Sequence, residues 1–239
     1  MLNLNRTVRD VALEMPAATR VFESLKIDYC CGGDQSLSSA CTAAGVEPSA
    51  LESMLQETAT SGAKNEAFDL QTASLTELMK YIVDQHHVFT RSEIARLQAL
   101  IEKVVEAHGS RHPELKEIRK TFQTLADDLA PHMLKEEQIL FPYITRLEVA
   151  TGNGNERPFA PFGTVVNPVR MMMMEHDAVG DILRWMRILS SDYTVPHDAC
   201  ISYQTLYEAM EGFEKDLHQH IHLENNVLFP RAIKLEAAV

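Results

Sequence analysis

The sequence predicts an all-α protein in which a small helical module precedes a four-helix bundle. Three observations carry that expectation. Apolar residues recur at helical spacing through four long stretches beyond residue 74. No segment shows the apolar–polar alternation of a strand, and Pro and Gly cut the early chain into short helical runs. Of the 239 residues, 45% are hydrophobic and 23% charged, which suffices to bury a core. The 22 Lys+Arg against 34 Asp+Glu leave a net charge of −12, which argues against sequence-independent nucleic-acid binding. No apolar run approaches the roughly 18 residues of a membrane span. The first residues lack the apolar stretch and cleavage site of a secretory signal. Four cysteines, two of them adjacent, make no disulfide framework, so a reducing, cytoplasmic compartment is expected.

Residues 1–58 read as the small module. Thr7, three positions before Asp10, marks a helix start, and Val8, Val11, Ala12 and Met15 follow at helical spacing. Pro16 restarts the chain into a run over 17–25, which the turn Asp28-Tyr29-Cys30-Cys31-Gly32-Gly33 ends. Short runs over 36–44 and 48–58, separated by Gly45, complete a module expected to have little core of its own. Residues 59–73 are small and polar and read as a linker. The bundle, 74–239, is expected to have helices over about 74–107, 113–149, 168–190 and 196–235, with a Gly-, Asn- and Pro-rich loop over 150–167. Pro131 should kink the second helix or cost it roughly 3 kcal/mol. Helices of this length with such connections suit an antiparallel bundle with an interior site.

An internal repeat carries the chemistry. His132 to Pro142 and His220 to Pro230 share the frame His-x-x-x-Glu-x-x-x-Leu-Phe-Pro. Residues four apart lie on one helix face, so each copy points an imidazole and a carboxylate the same way: His132 with Glu136, and His220 with Glu224. In the first helix His86 continues the apolar stripe of Leu75, Leu78, Met79, Ile82 and Val83, whereas His87 lies about 100° round the helix and reads as a non-ligand. In the third, His176 falls on the apolar face, four residues after Met172. Four inward imidazoles and two carboxylates fit two ions of iron, manganese, zinc or cobalt, and the lack of a thiolate argues against a closed structural zinc site. In the simplest arrangement each ion takes two His, and Glu136 and Glu224 bridge.

The other candidates divide. Asp128 and Asp216, each four residues before a frame histidine, are candidate partners for the imidazole N–H, or equally exposed helical charges. Glu175 is a candidate gate beside the metal, and His218 and His222 read as solvated or supporting. His108 and His112 read as helix-terminus histidines. Met171 to Met174 read as core filling, and Cys41 and Cys200 as core thiols. Adjacent Cys30 and Cys31 resist a mutual disulfide. From the residues alone they read equally as reactive thiols or as small residues in a turn.

The Asp28–Gly33 turn, the Lys135-Glu136-Glu137-Gln138-Ile139-Leu140-Phe141-Pro142 run, Glu175-His176-Asp177 and the Leu223–Pro230 run together resemble the RIC family (repair of iron centres, ScdA/YtfE type) over nearly the whole chain. That resemblance implies an ScdA-type amino-terminal domain joined to a hemerythrin-like bundle. It implies two non-haem irons, oxo- and carboxylate-bridged, with His86, His132, His176 and His220 as terminal ligands and Glu136 and Glu224 as bridges. It further implies repair of iron–sulfur clusters damaged by oxidative or nitrosative stress, with damaged iron–sulfur proteins as recipients and NO or O2 as small ligands. A role for Cys30 and Cys31 as reactive thiols also follows from it. Two alternatives stand beside repair by iron delivery: an NO-reducing or peroxide-consuming di-iron enzyme, and a non-enzymatic gas sensor or carrier. A homodimer is left open. Oxygen-carrying hemerythrins have a second His four residues after the third-helix His, where this chain has Gly180, and that opens a coordination position.

Overall fold

The computed structural model describes residues 2–60 and 72–239, so most of the expected linker lies outside the described residues. Among the described residues the chain is helical and contains no strand beyond one isolated bridge, Thr7 with Ser36. It divides into two compact units. The first comprises Met1–Ser74 with His218–Pro230, and the second Leu75–Leu217 with Arg231–Val239.

The first unit contains α1 (Val8–Glu14), α2 (Ala18–Ser24), α3 (Leu37–Ala44) and α4 (Pro48–Thr60). Thr7 caps α1 as expected, its hydroxyl accepting from the Asp10 N–H at 3.0 Å, and Ser36 does the same for α3. Gly45 ends α3 with φ 66°, the left-handed conformation that favours glycine. The expectation of little core is corrected here. Val8, Val11, Phe22, Ile27, Tyr29, Leu37, Cys41, Leu51 and Leu55 form a buried cluster, because short helices joined by tight turns can still present one apolar face each.

The second unit opens with α5 (Leu75–Ile82), a π-helical turn over Val83–His87, and α6 (Val88–His108). Next come α7 (Glu114–Lys135), a π turn over Glu136–Leu140, and α8 (Phe141–Asn153). α9 spans Val166–Leu189. α10 (Ile201–His222) leads without a break into a π turn over Leu223–Leu228 and α11 (Phe229–Glu236), and this last run passes through both units. Within the second unit α7 packs against α6 and α9, and α5 against α8. Leu97, Ile101, Leu115, Phe122, Leu129, Leu183 and Phe213 are among its buried side chains.

Pro131 does not end α7, which remains α-helical to Lys135. The carbonyl that its missing N–H leaves open belongs to exposed Asp127, where water can serve it, so the cost is met on the solvent side. Of the four methionines only Met172 is buried, whereas Met171 and Met174 are more than half exposed. Consecutive helical residues cannot all face one core. Cys41 is buried as expected, but Cys200 is exposed, since it lies in the loop before α10 rather than on that helix's apolar face.

Two carboxylates fasten helix ends across the sequence. Glu148 of α8 accepts from the Leu75 N–H (2.7 Å), the Thr76 N–H (3.0 Å) and the Thr76 hydroxyl (2.7 Å), which places a negative charge on the amino end of α5. Glu236 accepts from the Tyr143 hydroxyl at 2.5 Å and the Val165 N–H at 3.0 Å, at the start of α9. Glu148→Ala is expected to lower unfolding stability by about 1 kcal/mol. The check is a shifted denaturant midpoint at unchanged slope, with Glu148→Gln retaining part of the difference.

Candidate metal centre

In the second unit the first copy of the repeat sits at the junction of α7 and its π turn, and its polar atoms are buried. His132 is 3% exposed, Glu136 0% and His176 2%. His132 Nε2 stands 3.4 Å from Glu136 Oε2 and 3.0 Å from His176 Nε2, and the three residues each offer a ligand atom within 4.8 Å of the others. On its far side His132 Nδ1 donates to Glu175 Oε2 at 2.8 Å. That hydrogen bond puts the proton on Nδ1 and turns the Nε2 lone pair inward. Burial pushes the Glu175 carboxyl up, but hydrogen bonds from Lys135 and His132 outweigh it and hold the group below its usual range. Glu175 therefore stays ionised at neutral pH.

The first-helix histidines follow the same pattern. His87 is fully buried. Its Nδ1 meets Glu137 Oε1 at 2.6 Å, and its Nε2 lies 3.5 Å from Glu136 Oε2. Its ring stacks on Phe141 of the Leu-Phe-Pro frame, with centroids 6.0 Å apart. Glu137 is held below the usual carboxylate range, since hydrogen bonds from Arg91 and His87 outweigh the upward push of burial. His86 is also buried, with Nδ1 2.9 Å from Asp216 Oδ1. Sequence spacing thus selects His86 and passes over His87, whereas the structure sets His87 beside Glu136 and ties His86 to Asp216. Both histidines lie on a π turn, where i→i+5 hydrogen bonding shifts the angular phase that a 3.6-residue count assumes.

The proposed N–H partners are likewise reassigned. Asp128 is exposed, and His132 is served by Glu175. Asp216 serves His86.

In the first unit the second copy of the repeat occupies the segment 218–230. His220 and Glu224 are buried, with His220 Nε2 3.1 Å from Glu224 Oε1. The dicysteine turn is attached to the same segment through Tyr29. The Tyr29 carbonyl accepts from Asn226 Nδ2 at 3.1 Å, and the Tyr29 ring packs edge-on against His222 at 5.3 Å. Arg9 Nε donates to Asn226 Oδ1 at 2.5 Å, which fixes that amide's orientation. His222, read from sequence as solvated or supporting, is buried, and burial lowers its pKa to about 4. His218 reaches Glu23 at 2.9 Å.

Asp28 Oδ1 organises the turn, accepting from the N–H groups of Cys30 and Cys31 at 3.0 Å each and from the Cys30 thiol at 3.3 Å. A Cβ on Gly33 would come within 2.9 Å of the Tyr29 carbonyl oxygen, so only glycine lets the chain turn this tightly. The two sulfurs are 3.9 Å apart and not bonded. The Cys31 sulfur, burial and Asp28 together push the Cys30 thiol up, so Cys30 is held protonated.

The ScdA_N domain family, a domain of unknown function, matches residues 4–59, and the hemerythrin HHE cation-binding domain family matches residues 78–232. Two curated relatives, the iron–sulfur cluster repair proteins YtfE of Yersinia pseudotuberculosis serotype IB (strain PB1/+) and Yersinia pestis (strain Pestoides F), are each 35% identical over 232 residues. That span covers 97% of this chain and 98% of theirs. The chain belongs to the YtfE family. Membership agrees with the all-α fold and with the resemblance drawn from the two repeat copies and the Cys-Cys-Gly-Gly turn. In this YtfE-family chain the hemerythrin match takes in every expected ligand from His86 to Glu224. Imidazole Nε2 atoms and buried carboxylates fit a first-row metal cation.

Each metal-facing imidazole backed by a carboxylate should depend on it. Glu175→Gln is expected to weaken metal affinity by about 10–100-fold without altering the fold, as read by competition with a chromophoric chelator. An unchanged affinity would remove Glu175 from the centre.

Proposed function

We propose that this chain holds two iron ions and serves in the repair of iron–sulfur clusters damaged by oxidative or nitrosative stress. The observation that carries this reading is the buried meeting of His132 Nε2, Glu136 and His176 Nε2, with Glu175 fixing the His132 tautomer from behind. The relatives' names supply the biological direction. In this reading His220 and Glu224, the pair of the second repeat copy, would also hold iron. The first helix contributes through the His86–His87 pair, each with its Nδ1 held by a carboxylate. Metal content of His86→Gln against His87→Gln decides which of the two ligates.

When bound, the irons supply exchangeable metal and open positions for a small diatomic ligand. The protein's part is to turn the Nε2 atoms of His132 and His87 inward, to exclude bulk water by burial, and to hold Glu175 and Glu137 ionised. Damaged iron–sulfur proteins are the recipients in this reading, and a reducing cytoplasm suits the thiols of Cys30 and Cys31, which form no disulfide. Among the described residues no helix is long and apolar enough to cross a membrane.

A second reading, binding or reduction of NO, draws on buried Gly180, one turn after His176 on the same face, where a side chain capable of ligation is missing. Iron analysis with Mössbauer spectroscopy on anaerobically purified protein tests nuclearity. Recovery of activity in an NO-damaged iron–sulfur enzyme on adding the loaded chain tests repair. Recovery no better than with free ferrous iron would refute repair by iron delivery.

A further inference from the structure

A second group of ligand-type side chains lies at the far end of α6, about 30 Å along that helix from His87 at ~1.5 Å per residue. We propose that His108, His112 and Asp198 form a separate site for a zinc-type divalent cation, bound through two imidazole nitrogens and one carboxylate oxygen.

The local sequence builds this arrangement. α6 ends at His108, and the Arg111 and His112 N–H groups both return to the His108 carbonyl at 2.9 Å, which folds His112 back beside His108 with ring centroids 6.2 Å apart. Gly109 permits the turn, since a Cβ there would lie 2.5 Å from the Val105 carbonyl oxygen. Buried Tyr203 meets both rings edge-on at 5.4 Å and fixes their planes. Asp198, from the loop between α9 and α10, places Oδ1 3.0 Å from His112 Nε2, and one ligand atom from each of the three residues lies within 4.8 Å of the others.

His112 is also oriented as a metal ligand is. Its Nδ1 meets Glu114 Oε1 at 2.9 Å, so its Nε2 is the atom turned toward Asp198, the pattern His132 shows with Glu175. Two imidazoles and a carboxylate are a donor set that zinc, cobalt and nickel accept. Without a bound ion the positive charge comes from His112, whose two ring nitrogens both face carboxylates, and from Arg111, which reaches Asp198 Oδ2 at 3.1 Å and His108 Nδ1 at 3.4 Å. The Arg111 side chain is 59% exposed and has room to swing into solvent when an ion replaces it. The bound ion ties the α6–α7 turn to the α9–α10 loop and displaces the proton on His112 Nε2.

The full-length chain, freed of metal by chelation, is titrated with Zn2+ alone against a chromophoric chelator, and with Co2+ for its d–d absorption. Wild type is expected to bind one equivalent more than His112→Gln or Asp198→Asn. Glu136→Leu should keep that equivalent, Glu114→Gln should bind it about 10–100-fold more weakly, and Arg111→Ala should bind it more tightly. Asn matches Asp in size, and circular dichroism confirms that each variant is folded. Equal stoichiometry and affinity in wild type, His112→Gln and Asp198→Asn would overturn the proposal, as would loss of the equivalent in Glu136→Leu.

Discussion

Glu136→Leu is expected to abolish metal loading of the bundle centre while leaving the metal-free chain folded and at least as stable as wild type. Glu136 is fully buried, with imidazole nitrogens of His132 and His87 at 3.4 and 3.5 Å. Burying a carboxylate carries a desolvation cost that a leucine does not, and the imidazoles beside it keep their own carboxylate partners, His132 with Glu175 and His87 with Glu137. Metal reverses the sign. A ligand present at about 1,000 times its dissociation constant adds about 4 kcal/mol to the folded state, and Glu136→Leu forfeits this. Thermal unfolding under anaerobic conditions, with and without ferrous iron, should raise the wild-type midpoint only. Iron-dependent stabilisation of the variant would remove Glu136 from the ligand set.

Phe122→Ala is expected to produce the opposite combination, with a large stability loss and an intact ligand set. Phe122, on α7, is 1% exposed and packs on Phe213 with ring centroids 5.9 Å apart at 56°. Truncating a buried Phe costs about 3–5 kcal/mol, including the cavity it leaves. The change lies some ten residues before His132 on the same helix, so metal bound per folded chain should stay at the wild-type value. Denaturant unfolding reads the first quantity and metal analysis of the soluble fraction the second. A loss below about 1 kcal/mol would mean that the α7 core closes over the gap.

Much of the fold was legible from spacing and punctuation. Thr7 as a cap, Gly45 as a helix end and the four long runs beyond residue 74 all depend on neighbours within a turn or two, where helix physics is local. The π turns had a signal that periodicity does not use. Two of the three end on the leucine of Leu-Phe-Pro, ahead of Pro142 and Pro230, prolines that can neither donate to the preceding turn nor tolerate its carbonyl. The third, over Val83–His87, carries no such mark, and there the sequence passed over His87.

The sequence by itself determined the all-α class, the His-x-x-x-Glu frames and the pairing of His132 with Glu136 and of His220 with Glu224, because residues four apart on a helix share a face whatever surrounds them. Tertiary structure decided which carboxylate fixes which imidazole. Glu175 serves His132 from 43 residues away, Glu137 serves His87 from 50, and Asp216 serves His86 from 130. It likewise gathered His108, His112 and Asp198, the last two 86 positions apart. Such partnerships depend on how each helix is rotated and packed against the next. That rotation is set by the filling of the whole core, so no local spacing encodes it.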